Sequence, residues 1–247
     1  MKISVVLFDL GSTLLYSKDP WLPIFHRADR HLLDVFHTAG QPVEKRHLNE
    51  GDSPFLLAYY ADQGSNLIEK TSFRVLREAL NQSGFSNIPD SLLRAALDAM
   101  YAVTQQNWYL EEDALPTLET LRHLGYRLGL ISNTSDDRNV QQLLDRHGLR
   151  PYFEYIITSA ACGIRKPDPR IFQMALEYFG IAPSEAAMVG DTLEADILGA
   201  KNLGIYSIWI NRRASPLPDG ELVIQPEAIL ARLDHIPALL AELACSG

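Results

Sequence analysis

Four polar motifs recur along the chain, each directly after an apolar run or directly before a helical pattern. The first is Asp9, in Phe8-Asp9-Leu10-Gly11-Ser12-Thr13-Leu14. A carboxylate that ends a buried strand sits in a crevice floor, partly stripped of water, where it suits a nucleophile or a metal ligand. It equally suits a turn cap, with Gly11 supplying backbone freedom. The second is Ser132-Asn133-Thr134-Ser135. Hydroxyl and amide donors ahead of a helix hold phosphate oxygens with help from the helix N-terminus, and the same residue types are preferred N-caps. The third is Arg165-Lys166-Pro167-Asp168-Pro169. Lys166 precedes a helix start, where the dipole disfavours a cation. A local rule broken in this way points to function, although an isolated lysine is ordinarily solvated surface. The fourth is Gly190-Asp191-Thr192-Leu193-Glu194-Ala195-Asp196. Acids so spaced across a strand end and a helix start hold Mg²⁺ directly or through its waters, or act as caps and first-turn acids.

Taken singly, each motif has such a structural reading. In order along one chain they supply an acid, a hydroxyl, a lysine and an acid pair, each at a strand end or a helix start. Together they compose an Mg²⁺ and phosphate site with a nucleophile.

Positioning these groups requires a sheet whose strands end at a common edge. Ile3–Phe8 is β-branched and nearly all apolar, as a strand buried on both faces must be. Arg127–Ser132, Tyr155–Thr158, Ala186–Gly190 and Ile205–Ile210 read the same way, and helical patterns at Pro116–Leu124, Asp136–His147, Pro169–Phe179 and Leu193–Leu203 fall between them. This alternation predicts βαβ units and a parallel sheet. Residues 15–114 show helical periodicity at Leu22–Phe36, Pro54–Ala61, Leu67–Leu80 and Ser91–Trp108, with no convincing strand. Breaks fall at Ala39-Gly40, Gly51-Asp52 and Ser83-Gly84. The expected organisation is an α/β core of residues 1–14 and 115–247, with residues 15–114 inserted as a helical domain. Pro226–Leu243 reads as a final helix interrupted at Pro237.

The 247 residues carry 22 Lys and Arg against 31 Asp and Glu, a net charge of −9. That acidity opposes nucleic acid and anionic membrane as partners. The longest apolar run is the seven residues Phe55–Ala61, far short of the ~20 needed to span a membrane. The opening Met-Lys-Ile-Ser lacks the apolar core and cleavage site of a signal peptide, so a cytoplasmic protein is expected. Cys162 and Cys245 form no metal or pairing pattern, and the seven histidines are dispersed, which argues against a zinc site.

All four motifs match, in order, those of the haloacid dehalogenase-like hydrolase superfamily, whose members are mostly phosphatases: Asp9 with Thr13, Ser132, Lys166, and Gly190-Asp191-x₄-Asp196. The chain resembles that family over its whole length. The resemblance implies a Rossmann-like parallel sheet flanked by helices, with an all-helical cap inserted after the first motif. It implies that Asp9 attacks phosphorus to form an aspartyl-phosphate. It further implies Mg²⁺ held by Asp9, the carbonyl of Gly11, Asp191 and Asp196, and phosphate held by Ser132, Asn133 and Lys166, with Lys166 also offsetting charge beside the nucleophile. The substrate is then a small phosphorylated metabolite. The cap chooses it, with Trp21, His26, Arg27 and Arg30 as candidates, although Arg27 and Arg30 read first as solvated surface.

One departure stands out. Most family phosphatases carry a second aspartate two residues after the first, which protonates the leaving group; here that position is Gly11, followed by Ser12 where glycine is usual. A lost general acid costs about 10²–10⁴-fold. Three readings therefore remain: a phosphatase with weakened acid catalysis, a metal-independent 2-haloacid dehalogenase, and a non-catalytic binder of phosphorylated ligands. Dehalogenases of the family generally lack the acid matching Asp191, so its presence favours phosphate.

Overall fold

The chain is described by a computed structural model covering residues 2–48, 53–61, 67–213 and 223–245. Four consecutive apolar residues form β1 (Val5–Phe8), each fully buried. Alternate side chains serve opposite faces. Val6 and Phe8 join one hydrophobic cluster, and Val5 and Leu7 join another.

After β1 come β2 (Leu15–Ser17), α1 (Trp21–Thr38), α2 (Phe55–Ala61), α3 (Ser72–Gln82), α4 (Asp90–Thr104) and β3 (Trp108–Leu110). The chain then alternates: α5 (Ala114–His123), β4 (Arg127–Ser132), α6 (Asp137–Arg146), β5 (Tyr155–Thr158), α7 (Ser159–Cys162), α8 (Pro169–Phe179) and β6 (Ala186–Gly190). A π-helical turn over Leu193–Ile197 leads into α9 (Leu198–Leu203), followed by β7 (Tyr206–Ile210), β8 (Ala228–Leu230) and α10 (Ile236–Cys245).

Among the described residues, the main sheet has six parallel strands in the order β5-β4-β1-β6-β7-β8. One face is covered by α5, α6 and α10 through residues such as Leu118, Leu144 and Leu240, and the other by α8 and α9 through Phe172 and Ala200. This is the α/β architecture with a parallel core that the strand–helix alternation predicts. The order reverses beside β1, between β4 and β6, which is the switch point where such sheets open a crevice.

Residues between β2 and β3 bury a hydrophobic cluster of their own. In it α1 packs on α4 through Ala28, Leu32, Phe36, Leu93, Leu97 and Met100. Each such large side chain contributes roughly 1.5–3 kcal/mol on burial. The helices are locally specified. Thr71 caps α3, Asp136 caps α6, and Asp168 caps α8 ahead of Pro169. Among the described residues, no helix is long and apolar enough to cross a membrane.

The structure corrects several expectations. Leu15–Ser17 and Trp108–Leu110 lie in the segment expected to hold no strand, yet they pair antiparallel as a ribbon at the base of the helical part. Asn107 locks this ribbon: its side chain accepts from the Asp19 amide and donates to the Asp19 carbonyl. Residues 67–71 are not helical. Their edge pairs with residues 163–165 instead, through Arg165 N–H to the Leu67 carbonyl and Glu69 N–H to the Gly163 carbonyl. Ala228–Leu230, expected within a helix, is the sheet's edge strand; Pro237 lies in the first turn of α10, where its missing N–H costs nothing. The expected break at Gly51-Asp52 lies outside the described residues.

Candidate active site

Asp9 follows the last residue of β1, and its backbone N–H donates to the Val189 carbonyl of β6 at 2.9 Å. Phe8 is level with Leu130 of β4 and Val189 of β6. The three central strands therefore deliver Asp9, Ser132 and Asp191 to one edge. Asp9, Gly11, Ser132, Asn133, Lys166, Asp191 and Asp196 all line one crevice of about 400 Å³. Thr13 is buried in the loop after β1.

Lys166 is the hub. Its ammonium donates to Asp9 Oδ1 at 2.6 Å, to Asp196 Oδ1 at 2.6 Å and to the Ile131 carbonyl at 2.8 Å. These partners use all three of its donors. Burial opposes its charge, yet Asp196 and Asp9 hold its pKa up at about 12. The lysine is thus a fixed, buried cation beside the nucleophile candidate.

Asp9, Asp191 and Asp196 bring carboxylate oxygens within 4.8 Å of one another. Burial, reinforced by Asp196 and only partly offset by Lys166, pushes Asp9 up to about 6. Burial and the charges of Asp9 and Asp196 push Asp191 up to about 7. Three acids against one ammonium repel one another, and a divalent cation relieves that repulsion directly. Hard carboxylate oxygens at this spacing fit Mg²⁺. Within the set, Asp196 already accepts from Lys166 through Oδ1 and from the Thr192 amide through Oδ2, at 3.0 Å. Asp9 and Asp191 are the more open ligands.

Local sequence explains these placements. Gly190 has no side chain because Asp196 occupies the space: a Cβ there would overlap the Asp196 carboxyl. The π-helical turn that follows carries Asp196 back over β6. Trp209 Nε1 donates to the Asp191 carbonyl at 2.8 Å and fixes that strand end. Asn133 spans both backbone polar groups of Lys166, accepting from its N–H at 2.8 Å and donating to its carbonyl at 3.0 Å. Its side chain therefore positions the lysine, with a second amide N–H left over.

The expectation that Gly11 supplies the unusual backbone of this loop is corrected. The left-handed residue is Ser12, at φ 58°, while Gly11 has no positive φ. What sets Gly11 apart is its neighbour. A Cβ there would touch the Trp108 ring at 3.4 Å, so the indole packs beside this position.

Trp21, a cap candidate from the sequence, stacks on Phe25 and contacts Trp108 beside the crevice. Arg27 and Arg30 are exposed and line no described cavity, the surface reading given to them. His26 is half-buried in α1 and likewise lines none.

Sequence reasoning missed the polar latch next to Lys166. Glu69 is buried and ion-paired with Arg165, accepts from Ser159 at 2.6 Å, and takes the Tyr59 hydroxyl. A second link joins Tyr101 to Ser135 at 2.8 Å, and a third joins Arg94 to Asp136 at 2.6 Å. Glu69 is buried by residues about ninety positions away, so no local pattern in the sequence marks it.

Residues 3–204 match the family model for haloacid dehalogenase-like hydrolases. The chain is 37% identical over 143 residues to a phosphoserine phosphatase of Thermus thermophilus, covering 58% of this chain and 55% of that one. It is 30% identical over 218 residues to a glyceraldehyde 3-phosphate phosphatase of Methanothermobacter thermautotrophicus, covering 85% and 86%. The chain spans about half the length of several curated relatives that it matches. Its fold superposes on a 2-haloacid dehalogenase from Pseudomonas syringae with a TM-score of 0.73 and 28% identity, covering 98% and 99% of the two chains.

Proposed function

The chain belongs to the haloacid dehalogenase-like hydrolase family, and on that premise we propose that it is an Mg²⁺-dependent phosphatase of small phosphorylated metabolites, acting through an aspartyl-phosphate on Asp9. The observation that carries this reading is the acid trio. Asp9, Asp191 and Asp196 place carboxylates within shared-metal reach around a single lysine. A site so rich in negative charge receives a phosphate dianion only with a cation present, whereas displacement of halide from carbon has no use for it. The phosphatase relatives support the same reading.

Asp9, Asp191 and Asp196 would hold the metal, which when bound neutralises phosphate charge and polarises the phosphorus. Asp9 attacks in line through the oxygen that Lys166 does not hold. Lys166 orients Asp9 and offsets charge as the bond to phosphorus forms. Ser132 stands at the β4 end as the phosphate-binding hydroxyl. With no acid at Gly11, the leaving oxygen departs as an alkoxide or takes its proton from water. Water then attacks the phosphoryl group on Asp9 and returns the carboxylate. Residues 15–114 act as the cap over this crevice. Cytoplasmic residence belongs to the same proposal, supported by the unpaired Cys162 and Cys245.

Halide displacement is the second reading, favoured by the structural likeness over the full chain and by the missing acid. Phosphate release from a panel of phosphorylated metabolites, in Mg²⁺ and in EDTA, alongside chloride release from 2-chloropropionate, separates the two. Mg²⁺-dependent phosphate release is expected. Metal-independent chloride release would replace the phosphatase reading with the dehalogenase one.

A further inference from the structure

A second cavity, of about 350 Å³, opens beside the first between α1, α2, α4 and the start of β3. Most of its wall is apolar or aromatic, including Trp21, Phe25, Leu57 and Trp108, with Thr104 and Asn139 as polar members, and no charged residue lines it among the described ones. Trp21 stacks on Phe25 with ring centroids 5.2 Å apart and planes 17° from parallel, and it meets Trp108 at 5.2 Å. The volume falls within the range of small-ligand sites, about 300–1,000 Å³. Both cavities share Tyr60, Trp108 and Asn139, so they adjoin.

Trp108 lines both cavities. Its indole lies 3.4 Å from where a Cβ on Gly11 would stand, on the side a side chain at that position would take. A phosphate seated on Asp9 therefore directs its ester substituent toward aromatic surface. The polar groups on this wall are largely engaged within the protein: the Thr104 hydroxyl donates to the Tyr101 carbonyl, the Tyr101 hydroxyl bonds Ser72 and Ser135, and Asn139 Oδ1 accepts from Gln105, so a polyhydroxylated alcohol would find few free partners here. A planar ring would bury apolar area and stack against indole and phenyl faces.

Building on the phosphatase reading, we propose that this cavity seats an aromatic ring on the leaving group, so that the substrate class is phosphate monoesters of ring-bearing alcohols or phenols. The ring supplies binding free energy remote from the reacting phosphorus. That binding helps to position the ester where no side-chain acid assists its departure.

The test measures binding without turnover. Wild-type protein in Mg²⁺ is titrated with 2-phenylethylphosphonate and with ethylphosphonate, which share a head group and differ by the ring. The ring compound is expected to bind at least tenfold more tightly. Leu57→Arg, at a partly exposed wall position, and Trp21→Ala should each shrink that ratio to threefold or less, while Trp21→Phe keeps it. Equal affinities, no binding of either phosphonate, or a ratio untouched by both Leu57→Arg and Trp21→Ala would overturn the proposal. Phosphate release from ethyl, 2-phenylethyl and phenyl phosphates is assayed in parallel. Release without a ring preference removes the ring site and leaves the phosphatase reading intact. A ring preference without release from any ester removes the phosphatase reading instead.

Discussion

The side chain of Asp196 fills the space that a Cβ on Gly190 would need. Asp196 is held there on two sides, by Lys166 and by the Thr192 amide. It has little freedom to yield. Gly190→Ala should therefore destabilise the fold by about 1–3 kcal/mol, the usual range for overpacking. Activity should fall at least tenfold, because Lys166 loses one of its anchors. Thermal melts and kcat/KM on one phosphomonoester check both. Unchanged activity with an unchanged melt would mean that Asp196 is not needed in its observed position.

Asn133 acts on Lys166 through its backbone, with one bond to the N–H and one to the carbonyl. Asn133→Ala should lower kcat by about tenfold while KM moves less, since the lysine is mispositioned rather than lost. The two lost hydrogen bonds correspond to roughly 1–3 kcal/mol of stability. A rise in KM with kcat unchanged would assign Asn133 to phosphate binding instead.

Asp29 offers a pH test away from the crevice. It is buried in α1, and both of its oxygens accept from the Phe55 N–H at the start of α2. Burial pushes its pKa up from 3.8 to about 6, with the Phe55 bond and Lys45 opposing. The folded chain thus holds this proton more tightly than the unfolded chain does. Its stabilising contribution is full below about pH 4 and is lost as pH rises through 6. Relative to wild type, Asp29→Asn should gain stability between pH 4.5 and 7.5, on the order of 2–3 kcal/mol. Paired melts across that range measure it, and a flat difference would mean that the carboxyl is not shifted.

Gly11 leaves the departing oxygen without a side-chain acid. The rate should therefore depend steeply on leaving-group pKa, with acyl and aryl phosphates ahead of alkyl phosphates. The backbone at Gly11 accepts other residues, and a new Cβ meets only the Trp108 ring at contact distance. Gly11→Asp should flatten the series, with Trp108 shifting to admit the longer side chain. A flat series in the wild type would mean that another group supplies the proton.

The central strands and the four motifs were legible in the sequence for a physical reason. A strand buried on both faces must be apolar throughout, so the polar residue that ends it, such as Asp9 or Asp191, marks the sheet edge. The ribbon of Leu15–Ser17 and Trp108–Leu110 was not legible. Each strand is three residues long and draws its stability from a partner more than ninety positions away, so no local periodicity reports it. The same applies to Leu67–Thr71, whose apolar spacing reads as helix until the backbone of Gly163–Arg165 claims its hydrogen bonds. Ala228–Leu230 is a short edge strand that alternates too briefly to stand out from the helix after it. The meeting of Trp108 with Gly11 follows from these long-range pairings. The missing acid was visible in the chain, and the ring packed beside that position was not.

The central claim is that Asp9 carries the phosphoryl group. The direct measurement is a rapid acid quench during turnover in Mg²⁺, followed by mass mapping of the peptide that contains Asp9. The expected result is a phosphoryl adduct on Asp9 that forms only with the metal present, and is absent, along with turnover, in Asp9→Asn. Undiminished phosphate release by Asp9→Asn, with no adduct at that position in the wild type, would contradict it.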